Sequence, residues 1–366
     1  MSLRVLRVYH SAVVADWRRR DRLLREGGVD LTLVSPLRWN EGGRDVALES
    51  GDDHFVVGAR TFGRHPYAFL YNPVPIARAM RSGRFDVLDI HEEPASLAAL
   101  ELRILAGLFQ RGIPIVFYGA QNIEKRFPLP FRWIERSSLR RASGAYCCNR
   151  AAADIFRQRG LRHNARVIGL GVDTERFSSG DRPRTGSGPL TVGYVGRLEA
   201  HKGVGVLLDA IARLDGVALE ICGDGPDREA LAAHADRVGM TDRVVFNGFV
   251  DRDELPSHFA GFDLLAVPSL PTARVTEQFG RVVVEAMAAG VPVVASDVGA
   301  LADVVADAGV LVPPGDVTAW QEALAELTVA ADRRRELSER GLRRVVDYSW
   351  ESIAEAHHEL YVEVAR

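Results

Sequence analysis

The chain has 366 residues, 47% of them hydrophobic and 26% charged, with a formal net charge of −3. That is globular composition at a length beyond one ordinary domain, so two domains are expected. No apolar run reaches the length of a membrane span, and the opening MSLRVLRVYHSAVVADW passes from a short strand-like run straight to charge without a signal-peptide core, which points to the cytoplasm.

In chain order, the first half alternates short β-branched runs with helical patterns. Strands are expected at 4–8, 29–34, 87–90, 113–118, 144–148 and 165–168, with helices at 16–26 and 96–109 among them. A second series of strands, 190–195, 218–222, 244–247, 264–267, 291–295 and 309–312, alternates with helices at 203–214, 226–238, 254–260, 280–289 and 318–329. This βαβ rhythm predicts parallel sheets covered on both faces, hence an α/β fold of two doubly wound, Rossmann-like domains. Residues 173–189, rich in Gly, Ser, Pro and charge, read as the hinge between domains at 1–175 and 176–349. A last helical pattern, 350–366, caps one domain or the other.

The charge is uneven. Residues 1–178 hold 28 Lys and Arg against 19 Asp and Glu, whereas the remainder holds 18 against 30. Lysine is nearly absent, with Lys125 and Lys202 alone among 46 basic residues. The basic stretch Asp16–Arg25 reads either as a solvated helix face or as a surface for an anionic membrane, which leaves peripheral membrane association open. Cys147 and Cys148 are adjacent and Cys222 is remote, which is neither a disulfide framework nor a metal-ligand spacing. Gly223-Asp224-Gly225 resembles a fragment of a dinucleotide fingerprint but lacks its full spacing.

The most informative segment is EQFGRVVVEAMAAG, 277–290. A helix starting at the Gly280-Arg281 step offers free backbone N–H groups to an anion such as a phosphate. Glu277 and Glu285, eight residues apart, would then lie roughly 12 Å apart along the axis, and each carboxylate can accept two hydrogen bonds from vicinal hydroxyls. The alternative is a pair of surface glutamates. Val282–Val284 and Ala286–Ala289 argue against it, because they make the helix apolar almost all round, and a carboxylate buried there needs a partner. At the first strand-to-helix junction of the second half, VGYVGRLEAHKG places Arg197 and Lys202 where both can reach a diphosphate, unless they are incidental charges on a solvated loop.

The ordered series VGRLEAHKG, ICGDGP, VVFNGFV, LLAVPS, EQFGRVVVEAMAAGVPVVASDVG and DAGVLVPPGD resembles the retaining nucleotide-sugar glycosyltransferases of family 4 (group 1), densely across residues 190–316. The first half is similar more loosely, through DVLDIHEEP, YGAQNIEKRFP, IERSSLRRA and GLGVDTERF. The resemblance implies the GT-B fold, with the two domains facing across a cleft, an acceptor domain first and a donor domain second. It implies that Glu285 binds the ribose, that Glu277 holds hydroxyls of the donor sugar, and that the backbone of Phe279, Gly280 and Arg281 approaches sugar and phosphate. Arg197 and Lys202 match the pair that stabilises the departing diphosphate, Val250 the loop that reads the nucleobase, and His91 the histidine that contacts the donor sugar. The family's Gly-Gly loop after the first strand is replaced here by Tyr9-His10-Ser11-Ala12, so acceptor contacts are expected from His10 or Ser11.

The implied activity is hexosyl transfer, with retention, from a nucleoside-diphosphate sugar to a glycan, lipid-linked or small-molecule hydroxyl. Positive charge aimed at the leaving diphosphate supplies the catalysis, so no metal, no other cofactor and no nucleic-acid partner is expected. Asp251-Arg252-Asp253 matches an Asp-x-Asp metal signature but also reads as the start of a helix. A phosphorylase would need a lysine for a pyridoxal phosphate Schiff base, and with Lys202 assigned to the phosphates none remains in the second half. A nucleotide-sugar 2-epimerase and a non-catalytic nucleotide-sugar-binding protein remain as alternatives.

Overall fold

Parallel strands need a crossover long enough to hold a helix, and the two series of apolar runs form two sheets of this kind. The computed structural model describes residues 2–41, 43–49, 51–178, 189–273 and 275–366. It divides into two units, Met1–Gly169 with Trp350–Arg366, and Leu170–Ser349. Residues 170–175, assigned above to the first domain, thus belong to the second unit. Most of the expected hinge, 179–188, lies outside the described residues.

The first sheet has seven strands in the spatial order Arg166–Val167, Gly144–Cys147, Ile115–Gly119, Val87–Ile90, Arg4–Val8, Asp30–Pro36, Val56–Ala59, all parallel. The second has six, Val244–Gly248, Val217–Cys222, Leu190–Val195, Leu264–Val267, Val293–Ser296, Gly309–Val312, also all parallel. Val87–Ile90 and Leu264–Val267 are buried at every position, as strands covered on both faces must be. Between 34 and 87 the structure adds what the apolar pattern did not announce. These are the edge strand Val56–Ala59, two antiparallel hairpins (Arg38–Glu41 with Arg44–Ala47, Thr61–His65 with Ala68–Tyr71), and the helix Pro73–Arg81 capped by the Asn72 side chain.

The basic stretch 16–25 is surface only in part, with Arg19 and Arg25 outward and two of its arginines turned into the core. Its helix spans Arg19–Glu26, and Arg18 and Arg20 are buried. Arg18 binds Asp53 at 2.7 Å and Arg22 holds the same carboxylate at 2.8 Å. Arg20 faces the C-terminal helix Trp350–Ala365, with its Nη1 2.6 Å from Nε2 of His357. Among the described residues no helix is long and apolar enough to cross a membrane.

Burial holds His357 neutral, and the contact with Arg20 fits that state. Arginine can only donate, so Nε2 accepts, while Nδ1–H donates to the Ile353 carbonyl at 2.7 Å. Burial, with Arg7 nearby, pushes its pKa down to about 3. A folded-state value below the unfolded one means that the unfolded chain binds a proton below pH 6.5 that the native chain refuses, so stability is lost as pH falls from about 6.5 towards 3. Going from pH 7 to 5 should cost about 2 kcal/mol through this imidazole. Urea unfolding of His357→Gln at both pH values should show that loss removed, and an unchanged loss would refute the assignment.

Candidate functional site

In each sheet the winding reverses between two neighbouring strands, and loops leaving their carboxyl ends diverge to leave room for a ligand. In the second unit the reversal lies between Leu190–Val195 and Leu264–Val267. The loop after the first of these carries Arg197 and, in the turn Ala200–Lys202, Lys202. The loop after the second carries Ser269 and Glu277. These loops are joined at one oxygen: Lys202 Nζ lies 2.8 Å and Ser269 Oγ 3.0 Å from Oε2 of Glu277. Arg197 is half-exposed and pairs with Glu199 at 2.7 Å. Its carbonyl accepts from the Tyr194 hydroxyl at 2.7 Å, which ties the loop to the strand.

The helix that follows spans Arg281–Ala288, with Gly280 as its N-cap at φ +83°. The left-handed backbone at Gly280 favours glycine, and a Cβ there would also push on Leu301 Cδ2 at 2.5 Å. Glu277 therefore precedes the helix, and the eight-residue axial spacing assumed above does not describe the pair. Glu285 does lie on the helix and is buried, with Arg252 in ion-pair range at 3.9 Å. Burial raises its pKa, while Arg281, Arg252 and Arg176 work in the opposite direction. Phe279 buries its side chain against Tyr348, ring centroids 5.5 Å apart, which leaves only its backbone for a ligand. Val250 is half-buried in the loop after the strand Val244–Gly248.

Gly223 and Gly225 have a packing role. A Cβ on either would lie 1.8 Å from the Gly196 carbonyl oxygen or 2.3 Å from that of Leu198, so their absence lets this loop press against the one bearing Arg197. Asp251-Arg252-Asp253 is arranged as a helix approach. The backbone N–H groups of Glu254 and Leu255 donate to the Asp251 carbonyl, the helix Leu255–Gly261 has no side-chain cap, and Asp253 pairs with Arg176. Glu220, Cys222 and His258 have ligand atoms within 4.8 Å of one another and could hold a metal. As they stand, Glu220 Oε1 is 2.6 Å from His258 Nδ1 and accepts from Asn247 at 2.8 Å. Strand period and a distant helix brought them together, so spacing along the chain gave no sign of them.

In the first unit the reversal lies between Arg4–Val8 and Val87–Ile90, and it puts His10, Ser11 and His91 at one end of the sheet. His91 donates its backbone N–H to Val8 O at 2.9 Å. Its ring stacks on Tyr118 with centroids 3.8 Å apart and planes 8° apart. Nδ1 of His91 lies 2.6 Å from the Tyr146 hydroxyl and 3.2 Å from Arg7 Nη2. Burial, with Arg7 second, depresses its pKa well below 6.5. His10 opens a turn, His10–Val13, and is bound to Glu92 through its ring at 2.5 Å and its N–H at 3.0 Å. Burial opposes charge on His10, yet Glu92 outweighs it and the pKa is raised. Ser11 is buried. Glu92, Tyr146, Arg7, Ser269 and Arg252 were not read as site residues in the sequence, although Glu92 lies inside HEEP, Ser269 ends LLAVPS and Arg252 is the centre of Asp251-Arg252-Asp253.

Residues 21–176 match the family model for "Glycosyltransferase Family 4" and residues 180–344 that for "Glycosyl transferases group 1". A D-inositol 3-phosphate glycosyltransferase of Corynebacterium jeikeium is 34% identical over 221 residues, 54% of this chain and 52% of that protein. This chain thus spans about half the length of the curated relatives it matches. Sucrose-phosphate synthase from Thermosynechococcus elongatus superposes with a TM-score of 0.76 at 19% identity, covering 99% of both chains. Anabaena Alr3699/HepE in complex with UDP and glucose gives 0.71 at 19% identity over 98% of this chain and 99% of that one. Two parallel Rossmann-like sheets with these neighbours define the GT-B class of fold. Together the two matches show that the chain belongs to the glycosyltransferases of group 1 and family 4.

Proposed function

We propose that this protein transfers a hexose, with retention, from a nucleoside-diphosphate sugar to an acceptor hydroxyl and uses no metal. One observation carries the reading. Lys202, Ser269 and Glu277 converge on a single carboxylate oxygen at the reversal point of the second sheet, in the loop that runs into the glycine-capped helix holding buried Glu285. Glu277 holds hydroxyls of the transferred sugar, and Glu285 those of the ribose. Lys202, Arg197 and the backbone at Gly280 and Arg281 neutralise the diphosphate as the glycosidic bond breaks, which is electrostatic stabilisation where charge develops. The acceptor hydroxyl attacks from the face the leaving group departs. Val250 reads the base by its backbone, His91 contacts the sugar, and His10 and Ser11 contact the acceptor.

Titration calorimetry with UDP, GDP, ADP and dTDP, then with UDP-glucose, tests the donor side. UDP leads because the Anabaena neighbour was solved with it. Glu285→Ala should weaken nucleotide binding about 10- to 100-fold, the scale of losing hydrogen bonds to a charged group. The same change should alter the stability of the unliganded protein little, because burial already works against the charge on Glu285 and its partner Arg252 is partly exposed. Unchanged affinity would overturn the assignment. Transfer to acceptors, beginning with inositol 3-phosphate because of the named relative, should retain the anomeric configuration by NMR and survive EDTA.

A further inference from the structure

Arg7 lies in the middle of the strand Arg4–Val8, where the apolar pattern calls for a core residue, and it is 2% exposed. Two carboxylates make its burial tolerable. Its Nη1 reaches both oxygens of Asp21 at 2.8 and 2.6 Å, and its Nε lies 3.2 Å from Asp89. Asp89 also accepts from the Tyr361 hydroxyl of the C-terminal helix at 2.6 Å. With Arg20 beside them, two buried arginines face two buried aspartates.

Arg7 Nη2 is left to face Nδ1 of His91 at 3.2 Å, with the Tyr146 hydroxyl on the same nitrogen at 2.6 Å. A guanidinium has five donors and no acceptor. A proton on Nδ1 would therefore point at a charged donor. With Nδ1 bare, the Tyr146 proton belongs on the short 2.6 Å contact, and the Tyr146 contacts to Asp89, both 3.1 Å, become secondary. The ring proton is then on Nε2. His91 is 8% exposed, and among the described residues Nε2 makes no hydrogen bond.

We propose that Arg7 is a positioning residue: together with Tyr146 it locks His91 as the neutral Nε2–H tautomer, so that the ring presents a fixed hydrogen-bond donor, suited to a sugar oxygen, and neither accepts nor releases a proton during turnover. The groups against the ring are Arg7 and Tyr9 from the first strand and the residue after it, with Tyr118 and Tyr146 from the two strands beyond its own, and the charge of His10 in the turn also reaches it. Tyr361 and His357 of the C-terminal helix close the network from behind. The buried arginine thus connects that helix to the histidine through Asp89.

The kinetic arm of the test rests on the proposed sugar transfer; the spectroscopic arm does not. In 15N-histidine-labelled full-length protein, long-range 1H–15N spectra should show a pyridine-type Nδ1 and a pyrrole-type Nε2 for His91, unchanged between pH 5.5 and 8. Tyr146→Phe removes one donor to Nδ1. Arg7→Lys keeps the charge, and with it the fold, but loses the planar fork. Both should give mixed tautomers, and in Arg7→Lys kcat/KM should fall about tenfold with a new acid limb in its pH profile. A wild-type Nδ1–H tautomer, or a pure Nε2–H tautomer in both variants, overturns the proposal whether or not the protein transfers sugar. A protein with the stated tautomer behaviour and no transferase activity would instead overturn the functional reading.

Discussion

Lys202→Ala should lower kcat for sugar transfer by about two to three orders of magnitude, the cost of removing one preorganised group aimed at developing transition-state charge, while donor KM changes by only a few-fold. Charge that matters mainly as the bond breaks appears in kcat and spares KM. Lys202 is one of two lysines among 46 basic residues, and Lys202→Arg should restore little. A compact ammonium reaches one oxygen of Glu277 beside Ser269, where a planar fork would need two acceptors and more width. Folding should hardly register the alanine change, because the Lys202–Glu277 pair is part-exposed and such pairs contribute about 1 kcal/mol or less. Steady-state kinetics with the preferred donor decide the matter. A kcat within twofold of wild type would remove Lys202 from the chemistry.

Asp89→Ala should destabilise the first unit by roughly 3 to 5 kcal/mol, the usual consequence of deleting one member of a buried ion pair. Asp89 is completely buried and serves Arg7, Tyr146 and Tyr361 together. Its loss leaves Arg7 with one counter-ion and the Tyr361 hydroxyl short of an acceptor. The comparison is Arg166→Ala. Arg166 also binds the C-terminal helix, through Glu359 at 3.0 Å and Glu363 at 2.6 Å, but those carboxylates are well exposed. It should cost under about 1 kcal/mol. Denaturant midpoints of the full chain for the two variants measure the contrast. Equal losses would mean that the network only docks a helix and has no special weight in the core.

The sheet strands were legible because most of their residues are apolar and buried, in the central strands on both faces. Arg4–Val8, Val87–Ile90, Leu190–Val195, Leu264–Val267 and Gly309–Val312 have the bounds their apolar runs indicate. The hairpins between 38 and 71 were not legible. Arg38–Glu41 and Arg44–Ala47 are four residues each, mostly polar, and pair only with one another, so no apolar period marks them. The stretch 16–25 misled for a related reason: five arginines in ten residues read as solvent, yet Arg18 and Arg20 are drawn inward by Asp53 and His357, which come from distant parts of the chain.

By itself the sequence determined the alternation of strands and helices, the glycine-capped helix bearing Glu285, and the motif order that implies an activated sugar as substrate. These are local properties, written in period and residue type. The tertiary structure alone decided which charges meet. Lys202 and Glu277 are 75 residues apart, and Arg7 and His91 84. Each pair stands where parallel winding reverses, and a reversal point exists only after the strands have chosen their neighbours. The proton on His91 is set by a guanidinium whose burial depends on two aspartates from other elements, which is information that no window of residues contains.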